Sequence, residues 1–246
     1  MIELLERLVA IDSVNPSLVP GGAGEGEAAA VVAEWAADAG LQVELIELIE
    51  LTAGRPSVIV RTGRSGHGPT LLLCGHLDTV DVGGMSDPLI PRVDGDRLYA
   101  RGGYEMKAGL AAALVACRDA AKTRISGEVI VDVEADMAVL IASCRAADPG
   151  LDASARTVVA RDPFENRTGR PADRRRHRVG RRRARATGRR GRRQLLGGLA
   201  FISAAGIPTV LFGPSGDPHA DTEWVSLPST IAYARVLTAA GIRYCR

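Results

Sequence analysis

The run Thr70-Leu71-Leu72-Leu73-Cys74 is the feature that most constrains how this chain can fold. Five uncharged residues are too few to cross a membrane, and their length fits a β-strand that is covered on both faces. Two polar side chains, His76 and Asp78, follow directly after the run. The pattern predicts a central buried strand with chemically active side chains at its carboxyl end.

Segments with helical and strand periodicity alternate along most of the chain, which indicates an α/β fold. We predict a three-layer sandwich, in which a central mixed sheet has helices on both faces. Predicted helices cover residues 3–10, 25–39, 106–121, 199–205 and 228–240. Predicted strands cover residues 42–49, 57–62, 70–75, 128–133, 157–160 and 209–212.

No apolar run reaches the length of about eighteen residues that a membrane-spanning helix needs. The first residues include Glu3 and Glu6 where a signal peptide would carry basic residues. We therefore expect a cytoplasmic protein without a membrane partner.

Residues 165–196 do not share the alternating pattern. Between Arg167 and Arg193 the sequence has fourteen arginines, one acidic residue (Asp173) and no apolar periodicity. Three interpretations stay open: a disordered or frame-shifted segment, a nucleic-acid-binding arm, or another electrostatic docking element. The tract has no aromatic residue for base stacking, which argues against a nucleic-acid partner.

His76 and Asp78 are two residues apart on extended backbone, so their side chains leave on the same face. An imidazole that binds a metal needs its second ring nitrogen held in place, and a nearby carboxylate does this. The same spacing also occurs in ordinary loops. Only further motifs can decide between a site and a loop.

Such motifs are present on both sides of the pair. They are Ile11-Asp12-Ser13-Val14-Asn15-Pro16, Asp87-Pro88, Asp94-Gly95, the stretch from Leu98 to Gly109, Phe212-Gly213-Pro214, and His219 followed by Glu223-Trp224-Val225. Together these segments resemble the acetylornithine deacetylase / succinyl-diaminopimelate desuccinylase / carboxypeptidase G-like family of zinc metallopeptidases and aminoacylases. The resemblance covers about residues 1–165 and 197–246, and it implies a zinc-exopeptidase-like catalytic domain.

Members of this family hold two zinc or cobalt ions that a carboxylate and a hydroxide bridge. Matched residue by residue, the resemblance implies that His76 binds the first metal and that Asp78 orients its ring. Glu105 matches the bridging carboxylate, which is usually the shorter Asp. Asp162 matches the acidic ligand that shares a metal with His76, and His219 matches the histidine on the second metal.

The sequence departs from the family at residues 134–138. The family has an Asp-Glu-Glu run here, whose first Glu is the general base and whose second Glu binds the second metal. This chain has Met137 and Ala138 in those places, so the general base is absent. The resemblance then implies one usable zinc or cobalt position around His76 and a depleted second position. Residues 134–146 mismatch the family between two well-matched segments, which favours a short compensated frameshift over a functional redesign.

A second departure concerns the lid. The family inserts a lid or dimerisation domain of about a hundred residues between the counterparts of Asp162 and His219. Here the Arg-rich segment stands in its place, which argues against a homodimer. We divide the chain into residues 1–164 (first part of the catalytic domain), 165–196 (an irregular or disordered segment) and 197–246 (last part of the catalytic domain).

The resemblance predicts a metal-dependent hydrolase that cleaves amide bonds in N-acyl amino acids or small peptides, with reduced activity. Loss of a general base lowers a rate by about 10²–10⁴. A second interpretation is a catalytically inactive remnant that binds at most one metal. A third is a nucleic-acid-binding protein that uses the Arg tract.

Overall fold

The computed structural model describes residues 1–46, 55–63, 66–134, 207–218 and 221–246. The chain divides into two compact units, one formed by Met1–Asp136 with Gly213–Arg246, and the other by Met137–Phe212. Every helix and strand given below belongs to the first unit. The expected strand at 157–160, the helix at 199–205 and the Arg-rich segment at 165–196 lie outside the described residues.

Four predicted helices are present, with ends that shift by a few residues. The helices are α1 (Ile2–Val9), α2 (Gly26–Asp38), α3 (Ala108–Ala121) and α4 (Leu227–Tyr244). The strands are β1 (Gln42–Ile46), β2 (Ser57–Arg61), β3 (Thr70–His76), β4 (Arg92–Asp94), β5 (Arg97–Tyr99), β6 (Glu128–Glu134), β7 (Gly216–Asp217) and β8 (Trp224–Ser226). No helix in this part of the chain is long and apolar enough to cross a bilayer.

The main sheet has the strand order β1-β2-β6-β3. β2 runs antiparallel to β1 and β6, whereas β3 runs parallel to β6, so the predicted mixed sheet is confirmed. Among the described strands β3 pairs with β6 alone, so the central position of Thr70–Cys74 stays a prediction. The run is half-buried among the described residues.

One face of this sheet forms the main core with all four helices. Its side chains alternate along the strands, as the two-residue period of β-structure requires. They include Val43, Val58, Val60, Leu71, Leu73, Val129, Val131 and Val133. The described residues therefore contain one of the two predicted helical layers, and they do not include the second.

Helix α4 runs past the predicted end at residue 240. It begins at a cap in which the Ser226 side chain accepts a hydrogen bond from the Ser229 amide, and it continues through Gly241 to Tyr244. A Cβ atom at Gly241 would lie only 3.0 Å from Val129 Cγ2. Glycine here serves close packing of the helix on β6 and does not end the helix.

A second sheet, with the order β4-β5-β8-β7, was not predicted. Its strands have two or three residues, which is too short for a two-residue period to appear in the sequence. One face buries Leu98 and Val225. On the other face the guanidinium of Arg97 stacks over the Trp224 ring at 4.0 Å. This sheet brings the segment before β8 against the π-helical turn Gly103–Lys107.

The prediction of a strand at Thr209–Phe212 is wrong. Residues 207–215 have no regular secondary structure, and neither described sheet includes them. A β-branched, apolar run becomes a strand only where a neighbouring strand offers a ladder of hydrogen bonds. Instead, the Thr209 hydroxyl donates to the carbonyl of Ile207 at 2.8 Å.

Asp132 is a buried carboxylate on the sheet face opposite the main core. It is fully buried, and neither carboxylate oxygen has a hydrogen-bond partner in the described part of the chain. Burial raises the pKa of this carboxyl from 3.8 to about 7, and the charge of Arg61 only partly opposes that rise. Because the folded pKa lies above the unfolded one, the fold favours the protonated acid and loses stability as pH rises from about 4 to about 7.

We expect Asp132→Asn to gain stability relative to the wild type as pH rises. The gain between pH 4 and pH 8 should approach roughly 4 kcal/mol, because the substitution removes the buried ionisation. Urea unfolding at a series of pH values measures it. Asp94→Asn, on the exposed strand β4, is the control and should show no such trend. A parallel pH dependence of wild type and Asp132→Asn would contradict this account.

Candidate functional site

The candidate site begins at His76, the last residue of β3. Its Nδ1 atom lies 2.9 Å from Oδ1 of Asp78 and 3.1 Å from the carbonyl oxygen of the same residue. The contact expected from their spacing is therefore present. It fixes one ring nitrogen and leaves Nε2 directed towards other groups.

A loop near the N-terminus holds Asp78 in place. The Asn15 side-chain amide donates to Asp78 Oδ2 at 2.8 Å. The backbones pair beside it, since the Thr79 amide donates to the Ser13 carbonyl and the Asn15 amide donates to the Thr79 carbonyl. The Ser13 hydroxyl adds a buried bond to the Leu77 carbonyl at 2.7 Å. The Ser-Val-Asn motif thus acts as a brace for the residues after β3.

Glu105 supplies the second acidic side chain of the site. Its Oε1 atom lies 3.4 Å from His76 Nε2. Glu105 stands inside the π-helical turn Gly103–Lys107, where its backbone leaves helical geometry at φ −115° and ψ 87°. The side chains of His76 and Glu105 are 34% and 30% exposed, so solvent or a substrate can reach the gap between them.

A buried carboxylate, Glu223, fixes the backbone around Glu105. Its Oε2 atom accepts hydrogen bonds from Arg101 Nη1 and the Gly102 amide, each at 3.0 Å. Its Oε1 atom accepts from the amides of Tyr104 at 2.9 Å and Glu105 at 3.1 Å. Four donors therefore converge on one side chain that is 1% exposed.

Lys107 anchors the end of the same turn. Its Nζ atom donates to the carbonyls of Leu8 at 2.8 Å and Ile11 at 3.0 Å, and the side chain is fully buried. Burial lowers the pKa of this ammonium group to about 8, although nearby carboxylates, Asp12 first among them, oppose the change. The turn is consequently tied to α1 as well as to β8.

Two carboxylates surround the ring of His76 and control its charge. Burial alone would lower the pKa of His76, but hydrogen bonds and charges from Asp78 and Glu105 outweigh it and raise the pKa to about 10. Burial likewise tends to raise the pKa of Asp78. Its bond to His76 outweighs that effect, with help from Asn15 and the charge of Arg55, and lowers the pKa to about 2.

The structure brings together three of the predicted site residues: His76, Asp78 and Glu105. The other predicted positions, Asp162, His219 and Met137, lie outside the described residues. Within the described ranges no group of three or more His, Cys, Asp or Glu side chains could by itself hold a metal. The metal-ligand assignments therefore stay predictions.

Sequence reasoning gave no role to Asn15, Glu223 or Lys107. Asn15, Glu223 and Lys107 all stood inside motifs of the family resemblance, and for Asn15 that was the only signal. Glu223 offered a second signal, because an acid two residues before the apolar Val225 shares the inward face of a strand. Lys107 follows Glu105 by two residues, and nothing in its spacing predicts burial.

Comparison with known proteins agrees with this geometry. Residues 72–136 match the sequence model described as peptidase family M20/M25/M40. Over these residues the chain is similar to the M20 peptidases. The motif-based resemblance to acetylornithine deacetylase and succinyl-diaminopimelate desuccinylase is thereby confirmed.

Two M20 relatives illustrate the similarity. The succinyl-diaminopimelate desuccinylase of Methylibium petroleiphilum is 39% identical over 83 residues, which cover 31% of this chain and 22% of that protein. The acetylornithine deacetylase of Photorhabdus laumondii is 29% identical over 147 residues, or 58% of this chain and 37% of that protein. The chain thus spans only about a fifth to two fifths of these relatives.

Solved structures of two peptidases share the fold. The aminopeptidase PepT from Bacillus cereus superimposes with a TM-score of 0.73 at 14% identity, covering 100% of this chain and 98% of that one. A tripeptidase from Staphylococcus aureus gives a TM-score of 0.65 at 14% identity, covering 98% and 97%. The predicted α/β fold with a mixed sheet is therefore confirmed.

In the metal-free protein, the ring of His76 should stay protonated through neutral pH. Since its folded pKa is near 10 and its unfolded pKa near 6.5, its stabilising contribution is complete below about pH 6.5 and is lost as pH rises towards 10. Asp78→Asn should lower this pKa by removing the closest charge. NMR titration of the histidine rings measures both values, with Asp81→Asn as the control. A wild-type titration midpoint near 6.5 would contradict the effect of Asp78 and Glu105 on the His76 ring.

Proposed function

We propose that this protein is a metal-dependent hydrolase of amide bonds in N-acyl amino acids or small peptides, with His76, Asp78 and Glu105 at its centre. The separation of His76 Nε2 and Glu105 Oε1, 3.4 Å, carries the proposal. Two ligands of a tetrahedral zinc ion, each about 2.0–2.1 Å from the metal, are about 3.3 Å apart. The donor pair, one imidazole and one carboxylate, also suits zinc or cobalt.

The chain would hold one metal with His76, Glu105 and Asp162. A second position would have only Glu105 and His219, because Ala138 cannot supply the ligand that the family places there. When bound, zinc or cobalt would polarise the amide carbonyl and lower the pKa of water to about 7. The names of the relatives, a desuccinylase and a deacetylase, support an N-acyl amino acid as the substrate class.

The described residues would orient the groups that meet the metal and the substrate. Asp78, held by Asn15, keeps His76 Nδ1 occupied, so Nε2 is the nitrogen available to a ligand. Glu223 keeps the backbone of Glu105 in place on the opposite side of the gap. These contacts would hold the two proposed metal ligands, His76 and Glu105, in position before a metal binds.

The weak point of the proposed hydrolase is proton transfer. Met137 occupies the position of the general base, and a thioether cannot take a proton from water. The proposed activity is therefore reduced. The same observation favours a second candidate, a catalytically inactive remnant that binds at most one metal.

We expect at most one tightly bound zinc or cobalt ion per chain. His76→Ala should abolish binding, and Asp78→Asn should weaken it by about 10- to 100-fold, because the carboxylate orients the ligand ring. Isothermal titration calorimetry with Co²⁺ gives affinity and stoichiometry. His67→Ala, a substitution of an exposed loop histidine, is the matched control. Two tight ions per chain would exclude the one-metal site.

We expect Met137→Glu to increase hydrolysis by the Co²⁺-loaded protein by about 10²–10⁴, because it restores a proton acceptor. Initial rates on N-acetyl and N-succinyl amino acids, followed by mass spectrometry, measure the change. Met85→Glu, in a half-exposed loop, is the control. Equal rates for wild type and Met137→Glu would exclude the missing base as the limit. Metal binding without hydrolysis by either protein would support the remnant.

A further inference from the structure

The Glu223 side chain accepts four hydrogen bonds, and none of them stabilises the neighbouring strand β8. It directly precedes β8, and its alternation with Val225 turns its side chain inward, away from Trp224. None of its four donors belongs to β8 or to helix α4. All of them lie between residues 101 and 105, in the segment that leads to Glu105.

We propose that Glu223 is a positioning residue, which fixes the backbone of residues 101–105 so that the carboxylate of Glu105 faces His76 Nε2. It acts through Glu105 and does not itself meet a metal or substrate. This inference concerns the site of the proposed hydrolase and rests on that function for the purpose of the arrangement. The arrangement itself can be tested in the metal-free protein.

The backbone of this segment cannot hold itself in place. Gly102 has φ +75°, and the φ and ψ angles of Glu105 are not helical. The amides of Gly102, Tyr104 and Glu105 therefore need an acceptor from elsewhere in the fold. Glu223 supplies it with both oxygens, two donors to each. Hydrogen bonds to an ionised acceptor are stronger than neutral ones, and burial excludes competing water.

Only a carboxylate satisfies this set of donors. Glutamine has the same length, but it replaces one acceptor oxygen with an NH₂ group that confronts two donors. Aspartate is one methylene shorter and would withdraw both oxygens from the turn. The buried Arg101 guanidinium, 3% exposed, also needs the negative charge as its partner.

Amide hydrogen exchange of the whole 246-residue chain, free of metal, tests the proposal. In the wild type, the amides of Gly102, Tyr104 and Glu105 should exchange slowly although they lie at the edge of regular structure. In Glu223→Gln, either the Gly102 amide or the amides of Tyr104 and Glu105 should exchange at least about tenfold faster, as expected for loss of a charge-assisted hydrogen bond.

Two controls separate positioning from general stabilisation. Glu25→Gln makes the same substitution at another fully buried Glu, which forms a two-bond ion pair with Arg55. Ser226→Ala removes the cap of α4 three residues after Glu223 and leaves the four hydrogen bonds of Glu223 in place. Both should lower the melting temperature while the exchange of the three amides stays unchanged.

A second measurement reads the effect on the site itself. The ¹⁵N chemical shift of His76 Nε2, recorded at one fixed pH, should move in Glu223→Gln because Glu105 Oε1 lies 3.4 Å away. It should stay unchanged in Ser226→Ala. A shift that moves equally in both variants would overturn the proposal.

The proposal also survives the case in which Glu223→Gln does not fold, since the wild-type exchange pattern then decides. Rapid exchange of the Tyr104 and Glu105 amides in the wild type would overturn it, and slow exchange would support it. Metal binding enters none of these measurements. Failure of the positioning role is therefore distinguishable from failure of the proposed hydrolase, which Co²⁺ titration tests separately.

Discussion

The buried carboxylate of Glu223 is the interaction on which the candidate site depends. A charged group without water is stable only when hydrogen bonds replace its hydration, and here four donors do so. Those donors lie between residues 101 and 105, whereas the acceptor comes from the segment before β8. The requirement for charge compensation thus joins two parts of the chain that are more than a hundred residues apart.

A similar logic holds the histidine. The end of β3 has no further sheet partner after residue 76 among the described strands, so the chain there needs another support. Backbone pairing between Ser13–Asn15 and Leu77–Thr79 provides it, and the Asn15 amide secures the carboxylate of Asp78. The side chains of His76 and Glu105, which face each other, are therefore both fixed by groups outside their own elements.

The sequence could predict the elements that are long enough to show a repeating apolar pattern. Helices α1, α2, α3 and α4 each span two or more turns, and β3 and β6 each have seven residues, so their apolar patterns are legible. The proximity of His76 and Asp78 followed from the geometry of extended backbone. Glu105 joined them only through the family resemblance, because no local rule relates residues 29 apart.

Other features depended on contacts that no local pattern encodes. Strands β4, β5, β7 and β8 have two or three residues each, and only their pairing with one another makes them strands. Thr209–Phe212 had the opposite character, because its composition suits a strand but it joins neither described sheet. The burial of Glu223 depends on donors that lie more than a hundred residues away along the chain, and pairing of β5 with β8 brings the two segments together.

The scaffold of the site and its proposed chemistry are separable along the chain. Every described group that holds His76, Asp78 and Glu105 comes from the unit formed by Met1–Asp136 and Gly213–Arg246. Met137, where the proposal places the missing general base, begins the other unit. A change at that position removes a proton acceptor but none of the described contacts of His76. A change at Met137 alone should therefore alter the catalytic rate of the proposed hydrolase more than its metal affinity.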